Sequence, residues 1–332
     1  MAGQNAHFRL HRFAGAADRA MVSGLGYRQP GTPPMSDLQR QTRYAYSAID
    51  TRKPYEWPNG TRLAVYIANN VEVFRYGEGK GAAIAPPDQA VSDSVYSWRD
   101  YGNRVGFWTL MDALDKYDLP AEVQLNTAIY EECPGIAERH RARGDEFLGH
   151  GHTNSDEQGK LSEDEERAFI RSCTAILEKN EGQRPTGWMS PWLSNSPVTL
   201  DLLQEEGYLY HMDWTMDDQP IWMATRGGKI LSMPYPIECN DNRGIVWFRY
   251  TSEEFAQMLI DQFDEMLEQS AKYPLVCPIS LHPFVVGRPY RLRALKRVFE
   301  HIDRHRHLIW LTRPGEIAEH IASLPAGIVP GS

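Results

Sequence analysis

The sequence predicts an α/β domain on a parallel sheet, closed as a barrel or left open and doubly wound. Three observations predict it. From residue 61 onward short apolar runs alternate with amphipathic helical patterns. The runs turn polar at their C-terminal ends, as barrels do when one face gathers the chemistry. No glycine-rich phosphate loop follows the first run, and no internal repeat recurs at a fixed period.

The elements follow in order. Residues 63–68 (LAVYIA) read as a buried strand. Val105, Trp108, Met111 and Leu114 then recur every three residues, as on one helix face. Residues 121–125 and 146–149 are the next strands, with a segment broken by Pro134 between them. Ser162 and Glu165 have capping-box spacing for a helix running to about Asn180. Residues 186–189 form a short strand, and Ser196-Pro197 opens a helix with serine as N-cap and proline at the first position. Residues 208–212 are a strand. Residues 215–250 are irregular, with a short strand expected at 229–233. Thr251 and Glu254 cap a long helix whose apolar face is Phe255, Met258, Leu259, Phe263, Met266 and Leu267. Residues 275–281 are the last long strand; a helix at 290–306, a strand at 308–311 and a helix from about Pro314 complete the order.

Composition narrows the function. A chain of 332 residues, 42% hydrophobic, buries a large core. We expect residues 1–56 to form a partly irregular N-terminal arm and residues 57–332 a single catalytic domain. The net charge of -9 argues against nucleic acid as a partner. No run approaches the roughly 18 apolar residues of a membrane helix, and nothing resembles a secretory leader. Cys133, Cys173, Cys239 and Cys277 are scattered without a CxxC pair. They read as reduced thiols of a cytoplasmic protein.

The polar residues collect at strand ends. Asn69, Asn70 and Glu72 follow the first strand, and His150, His152 and Asn154 follow 146–149. Ser190, Asp213 and His282 end three more. Each also has a plain structural reading: a histidine at a strand end ties down a loop, and asparagines stabilise turns. Trp188, Trp192, Trp214 and Trp222 crowd the same ends, either as core or as the walls of an aromatic pocket.

In combination these segments resemble the polysaccharide deacetylase superfamily, the carbohydrate esterase 4 or NodB-like fold, over about residues 57–321. Within it the allantoinase-like and peptidoglycan-deacetylase-like branch is most similar. The segments are Asn69-Asn70-Val71-Glu72, His150-Gly151-His152-Thr153-Asn154, Arg184-Pro185-Thr186-Gly187-Trp188, Met212-Asp213-Trp214 with Asp217-Asp218-Gln219-Pro220, and Leu281-His282-Pro283 with Gly287-Arg288-Pro289. The resemblance implies a distorted (β/α)7 barrel. It also implies two aspartates in the first motif, where Asn69 and Asn70 stand. The second motif of the family supplies two metal-binding histidines four residues apart; here His150 is followed by Asn154. A register through His152 and Asp156 would restore an anionic ligand. The family's general acid falls on His282. The branch forms homo-oligomers, often tetramers, and a dimer or tetramer is expected here.

Zinc sites draw three ligands from histidine, cysteine and carboxylate, and neutral amides are poor substitutes. The expectation is therefore a hydrolase acting without a cofactor. Were zinc or another divalent metal bound, His150, His152 and Asp156 would be its ligands. Without Lewis acidity the substrate needs an acidified leaving nitrogen, which cyclic ureides and imides provide. In this reading Glu72 activates water, with Asp213 as the alternative, His282 protonates the leaving nitrogen, and His150 or His152 orients water or oxyanion. Asn69, Asn70, His152, Asn154, Trp188, Ser190 and Arg288 bind a small-molecule substrate. Two rivals stand beside it: a metal-dependent N-deacetylase of polysaccharide or peptidoglycan, and an inactive ligand-binding barrel.

Overall fold

The apolar runs become nine strands among the described residues, 39–82 and 93–332 of the computed structural model. These are β1 (Leu63–Val71), β2 (Glu122–Leu125), β3 (Glu146–Gly149), β4 (Gly187–Trp188), β5 (Tyr210–His211), β6 (Ile221–Thr225), β7 (Gly228–Ser232), β8 (Leu275–Leu281) and β9 (Ile309–Leu311). Every residue of β1 is buried, because it lies in the middle of the sheet. Its C-terminal half pairs with β2 from Ala68↔Glu122, its N-terminal half pairs with β9, and β8 runs along its other side from Leu63↔Leu275. The path β6-β7-β5-β4-β3-β2-β1-β8 is parallel except for the β6–β7 hairpin. That path does not close on itself. Between its two edges a loop runs beside β8, where Ser280 N donates to Cys239 O at 3.3 Å.

Ten α-helices lie among the described residues, beside short 3-10 and π turns: α1 (Asp93–Tyr101), α2 (Phe107–Lys116), α3 (Ile129–Glu132), α4 (Pro134–Arg143), α5 (Glu163–Glu181), α6 (Thr199–Glu205), α7 (Ser252–Gln269), α8 (Pro283–Val286), α9 (Pro289–Arg304) and α10 (Pro314–Ser323). Leu110, Met111 and Leu114 of α2, Phe255, Leu259 and Phe263 of α7, and Leu295, Val298 and Phe299 of α9 join Val65, Ile67 and Cys277 in the largest core cluster. This alternation of parallel strands and covering helices is the α/β architecture expected from the sequence.

Both predicted capping boxes form. Glu165 accepts the Ser162 backbone N–H at 2.9 Å, and Glu254 accepts that of Thr251 at 2.8 Å. Other expectations need correction. Val105 and Trp108 are exposed rather than core-facing, 42% and 41%. The buried face is Phe107, Leu110, Met111 and Leu114, because a spacing of three drifts around a 3.6-residue helix. Helix α6 starts at Thr199, since Ser196 Oγ caps the Val198 N–H ahead of it. The 215–250 segment contains a full hairpin, β6–β7, turned at Arg226-Gly227.

Thr42–Ser332 form a compact unit. The arm expected over residues 1–56 lies outside the described residues as far as 38. Within the unit, Arg43 pairs with Asp201 at 2.6 Å and Arg52 with Asp217 at 2.6 Å. The four cysteines are free thiols. No helix among the described residues is long and apolar enough to cross a membrane.

Candidate active site

Side-chain alternation along β1 separates its two asparagines. Asn69 Nδ2 donates to His140 Nε2 at 3.1 Å, and His140 Nδ1 meets Asp145 Oδ2 at 2.8 Å. Asn69 thus belongs to a buried polar network on the other side of the strand. Asn70 and, two residues on, Glu72 share the side that forms a narrow cleft of about 40 Å³. Asn70 Nδ2 donates to Ser280 Oγ at 3.0 Å and Leu281 O at 3.1 Å, while its Oδ1 accepts from Tyr235 OH at 3.3 Å.

Glu72 is the centre. Its Oε1 lies 3.6 Å from His282 Nε2 and 3.8 Å from His150 Nε2. Asn126 holds this junction together: its Oδ1 accepts the Val73 N–H at 2.9 Å, and its Nδ2 donates to His150 O. Gly151 then turns the chain with φ +69°. A side chain there would meet Pro191 at 2.7 Å and Phe169 at 2.9 Å.

The histidines are differently tied. His150 Nδ1 donates to Met189 O at 2.9 Å, which leaves Nε2 as the atom facing the cleft. His282 is held by Asp241: the His282 backbone N–H reaches Oδ2 at 2.8 Å and Nδ1 reaches Oδ1 at 2.6 Å. Burial alone would lower the His282 pKa, but the charges of Asp241 and Glu72 outweigh it and raise it to about 9. Burial likewise opposes charge on Glu72, yet the His282 and His150 imidazoles outweigh it and hold the carboxyl at about 2. Burial pushes Asp241 up while His282 pulls it back, so both halves of that dyad bind protons tightly. We place the shared proton on the imidazole, which also feels Glu72.

Three cleft acceptors have no hydrogen-bond partner among the described residues: Glu72 Oε2, His150 Nε2 and Asn154 Oδ1. They call for donors from water or from substrate N–H groups.

Other residues singled out in the sequence lie elsewhere. Asp213 accepts from Ser190 N at 2.7 Å and Ser190 Oγ at 2.8 Å, so both form a buried brace outside the cleft. Burial pushes the Asp213 carboxyl up to about 6, against those two donors. Trp188 is core, packed on Tyr208 with ring centroids 5.6 Å apart. His152 bonds Thr127 Oγ1 at 2.9 Å and faces a neighbouring cavity of about 600 Å³, which Glu72 also lines. Asp156 caps Thr153 and pairs with Arg75 at 2.7 Å. Arg288 stacks on Tyr101 at 3.5 Å, away from the cleft.

Sequence reading missed Asp241, Tyr235 and Asn240, all in the segment taken as irregular. Asn240 Nδ2 donates to Ser280 Oγ at 3.0 Å, beside Asn70. Of the crowded tryptophans, Trp192 is the one that lines the cleft. It and Leu193 both adopt left-handed backbone, φ +64° and +57°, a strained pair that places the indole across the opening. Trp192 Nε1 donates to Asn154 O at 2.6 Å.

A zinc ion does not fit these residues. Among the described residues no three His, Cys, Asp or Glu side chains are disposed to hold a metal. The set expected for one, His150, His152 and Asp156, is not brought together. Asn69 turns away, Asn70 is engaged by Ser280 and Tyr235, Asn154 offers a neutral amide and His282 is kept protonated beside Asp241, so only Glu72 and His150 remain as strong donors.

The family model for polysaccharide deacetylase matches residues 89–211. A crystal structure described as a probable polysaccharide deacetylase from Pseudomonas aeruginosa PAO1 superposes with a TM-score of 0.71 at 30% identity, covering 80% of this chain and 92% of that one. A crystal structure of Puue allantoinase gives 0.71 at 28% identity, with 81% and 93% covered. A Schizosaccharomyces pombe protein named for polysaccharide deacetylation is 26% identical over 314 residues, 86% of this chain and 97% of its own. The chain belongs to the polysaccharide deacetylase family, NodB-like hydrolases of carbohydrate esterase family 4 that act on non-peptide C–N bonds.

Proposed function

We propose that this protein hydrolyses the C–N bond of a cyclic ureide, imide or amide, without a catalytic metal. The observation that carries this reading is the Glu72–His282 pair, a carboxylate and an imidazolium 3.6 Å apart with Asp241 behind the imidazole. Water between Glu72 Oε1 and His150 Nε2 gives one proton to Glu72 as its oxygen attacks the carbonyl carbon. The other hydrogen is held by the unpartnered His150 Nε2. As the tetrahedral intermediate collapses, His282 Nε2–H protonates the leaving nitrogen, and the C–N bond breaks. The proton on Glu72 then passes to His282, which resets the pair.

The ring reading is supported by the small cleft, whose amides Asn70 and Asn154 suit paired N–H and C=O groups. It is supported too by the chemistry of the leaving group. A ureide or imide nitrogen is acidified by a second carbonyl and needs less electrophilic help than an N-acetyl amine. The likeness to an allantoinase agrees with it. A second reading, N-deacetylation of an amino-sugar polymer, is favoured by the family itself and by the exposed Trp247, Phe248 and Tyr250 beside the cleft. A homo-oligomer, dimer or tetramer, is part of the proposal.

The test is turnover of hydantoin, cyclic imides and allantoin beside acetate release from chitooligosaccharides. Ring opening that disappears in Glu72→Gln and His282→Ala supports the proposal. Acetate release without ring opening replaces it with the second reading, and activity indifferent to both substitutions refutes the site.

A further inference from the structure

Beside the cleft lies a second cavity of about 310 Å³, which shares Trp192, Asn242, Arg243 and Trp247 with it. Its walls carry Lys80, Arg99 and Arg243, with Trp98, Trp192 and Trp247, and no Asp or Glu. None of the three cations has a carboxylate within ion-pair distance among the described residues, although arginines elsewhere in the protein such as Arg43, Arg141, Arg167 and Arg226 do.

Arg99 is the most unusual of them. It is 7% exposed, and its Nε and Nη1 are buried without a hydrogen-bond partner. Its guanidinium carbon lies 3.8 Å over the Phe74 ring, with Trp192 at 5.6 Å and Phe284 at 5.7 Å. The rings steady the cation but cannot satisfy its N–H groups. Leaving buried donors of a charged group unmade is costly unless an acceptor arrives. Lys80 Nζ sits 5.1 Å over the other part of the wall, on Trp192. Burial pulls the Arg99 pKa down to about 10, against the charge of Glu72, which still leaves it charged at neutral pH; burial lowers Lys80 too, with Glu157 opposing it and Lys160 and Arg243 adding to it. Three cations with no carboxylate in ion-pair contact among the described residues make a site suited to an added anion.

We propose that the substrate carries a carboxylate or similarly compact anionic group, bound by Arg99, Lys80 and Arg243 in this vestibule while its ring amide lies across Trp192 between Glu72 and His282. The unpartnered Nε–H and Nη1–H groups of Arg99 can each donate a charge-assisted hydrogen bond to an anionic oxygen. This specificity rests on the ring-hydrolase reading above and narrows it to anionic rings.

The experiment compares binding of 5-(carboxymethyl)hydantoin and its neutral carboxamide by calorimetry, with turnover of both measured in parallel. The wild-type protein is expected to bind the anionic ring at least about tenfold more tightly. Arg99→Gln should abolish most of that preference by weakening the carboxylate alone, and Lys80→Gln, on a half-buried side chain with little folding role, should reduce it. Equal affinity for the two rings, binding of neither, or an Arg99→Gln loss shared by both would overturn the proposal. Turnover of the neutral ring without preference for the anion leaves the hydrolase reading standing and overturns this one. Anion-dependent binding without turnover of either ring does the converse.

Discussion

Asp241 holds His282 at two points, accepting its backbone N–H on one carboxylate oxygen at 2.8 Å and its Nδ1–H on the other at 2.6 Å. The grip fixes both where the imidazole is and which nitrogen faces Glu72. It also keeps the ring protonated, so the general acid proposed above is present at neutral pH.

Activity is therefore expected to fall on the alkaline side as His282 loses its proton, near pH 9, and to be little affected by Glu72 until well into acid. Asp241 is a positioning residue. In Asp241→Asn the imidazolium loses its buried counter-charge, so the alkaline limb of kcat/KM should move to lower pH and kcat should drop roughly 10²-fold. A pH–rate profile of the variant reads both; a drop in kcat with an unmoved limb would mean that Asp241 only supports the fold.

Glu72→Gln keeps the size of the side chain and removes the carboxylate proposed as the base. We expect a loss of about 10²–10⁴ in kcat for ring opening, with the protein still folded by circular dichroism. A smaller loss, within tenfold, would place the base elsewhere.

Gly151 separates the two histidines at a left-handed turn, and an added methyl would strike Pro191 and Phe169. Gly151→Ala should cost about 1–3 kcal/mol in stability by urea unfolding. It should also lower kcat by shifting His150. Unchanged stability would show that the loop can relax.

Glu122 is fully buried, and neither carboxyl oxygen has a partner. Burial, reinforced by Glu146, pushes its pKa well above the usual range. A carboxyl whose pKa is raised on folding is tolerated in acid, and stability is lost as pH rises from the unfolded value toward the folded one. Glu122→Gln removes that titration, so its advantage over wild type in thermal unfolding should grow between pH 4 and pH 7. A gap independent of pH would contradict the assignment.

Much of this arrangement was legible in the sequence because it is local. The capping boxes at Ser162 and Thr251, the buried run of β1 and the polar strand ends depend on residues within a few positions of one another. The role of Asn69 was legible in principle, since alternation puts it opposite Asn70 and Glu72, but proximity to Glu72 in sequence misled. Asp241 and His282 were not legible as a pair: they meet across 41 positions, from a loop that lacks any periodic pattern. Trp188 and Trp192 look equivalent in sequence. Only the packing of Trp188 on Tyr208 and the strained backbone at Trp192 make one core and the other cleft wall.

If Glu72 and His282 open a ring amide with no metal between them, hydrolysis survives the removal of divalent metal. The most direct test is the rate of cyclic ureide hydrolysis by protein stripped of divalent metal, with residual metal measured by mass spectrometry. The account predicts an undiminished kcat with metal far below one ion per chain. Activity that vanishes on stripping and returns in proportion to added zinc would contradict it.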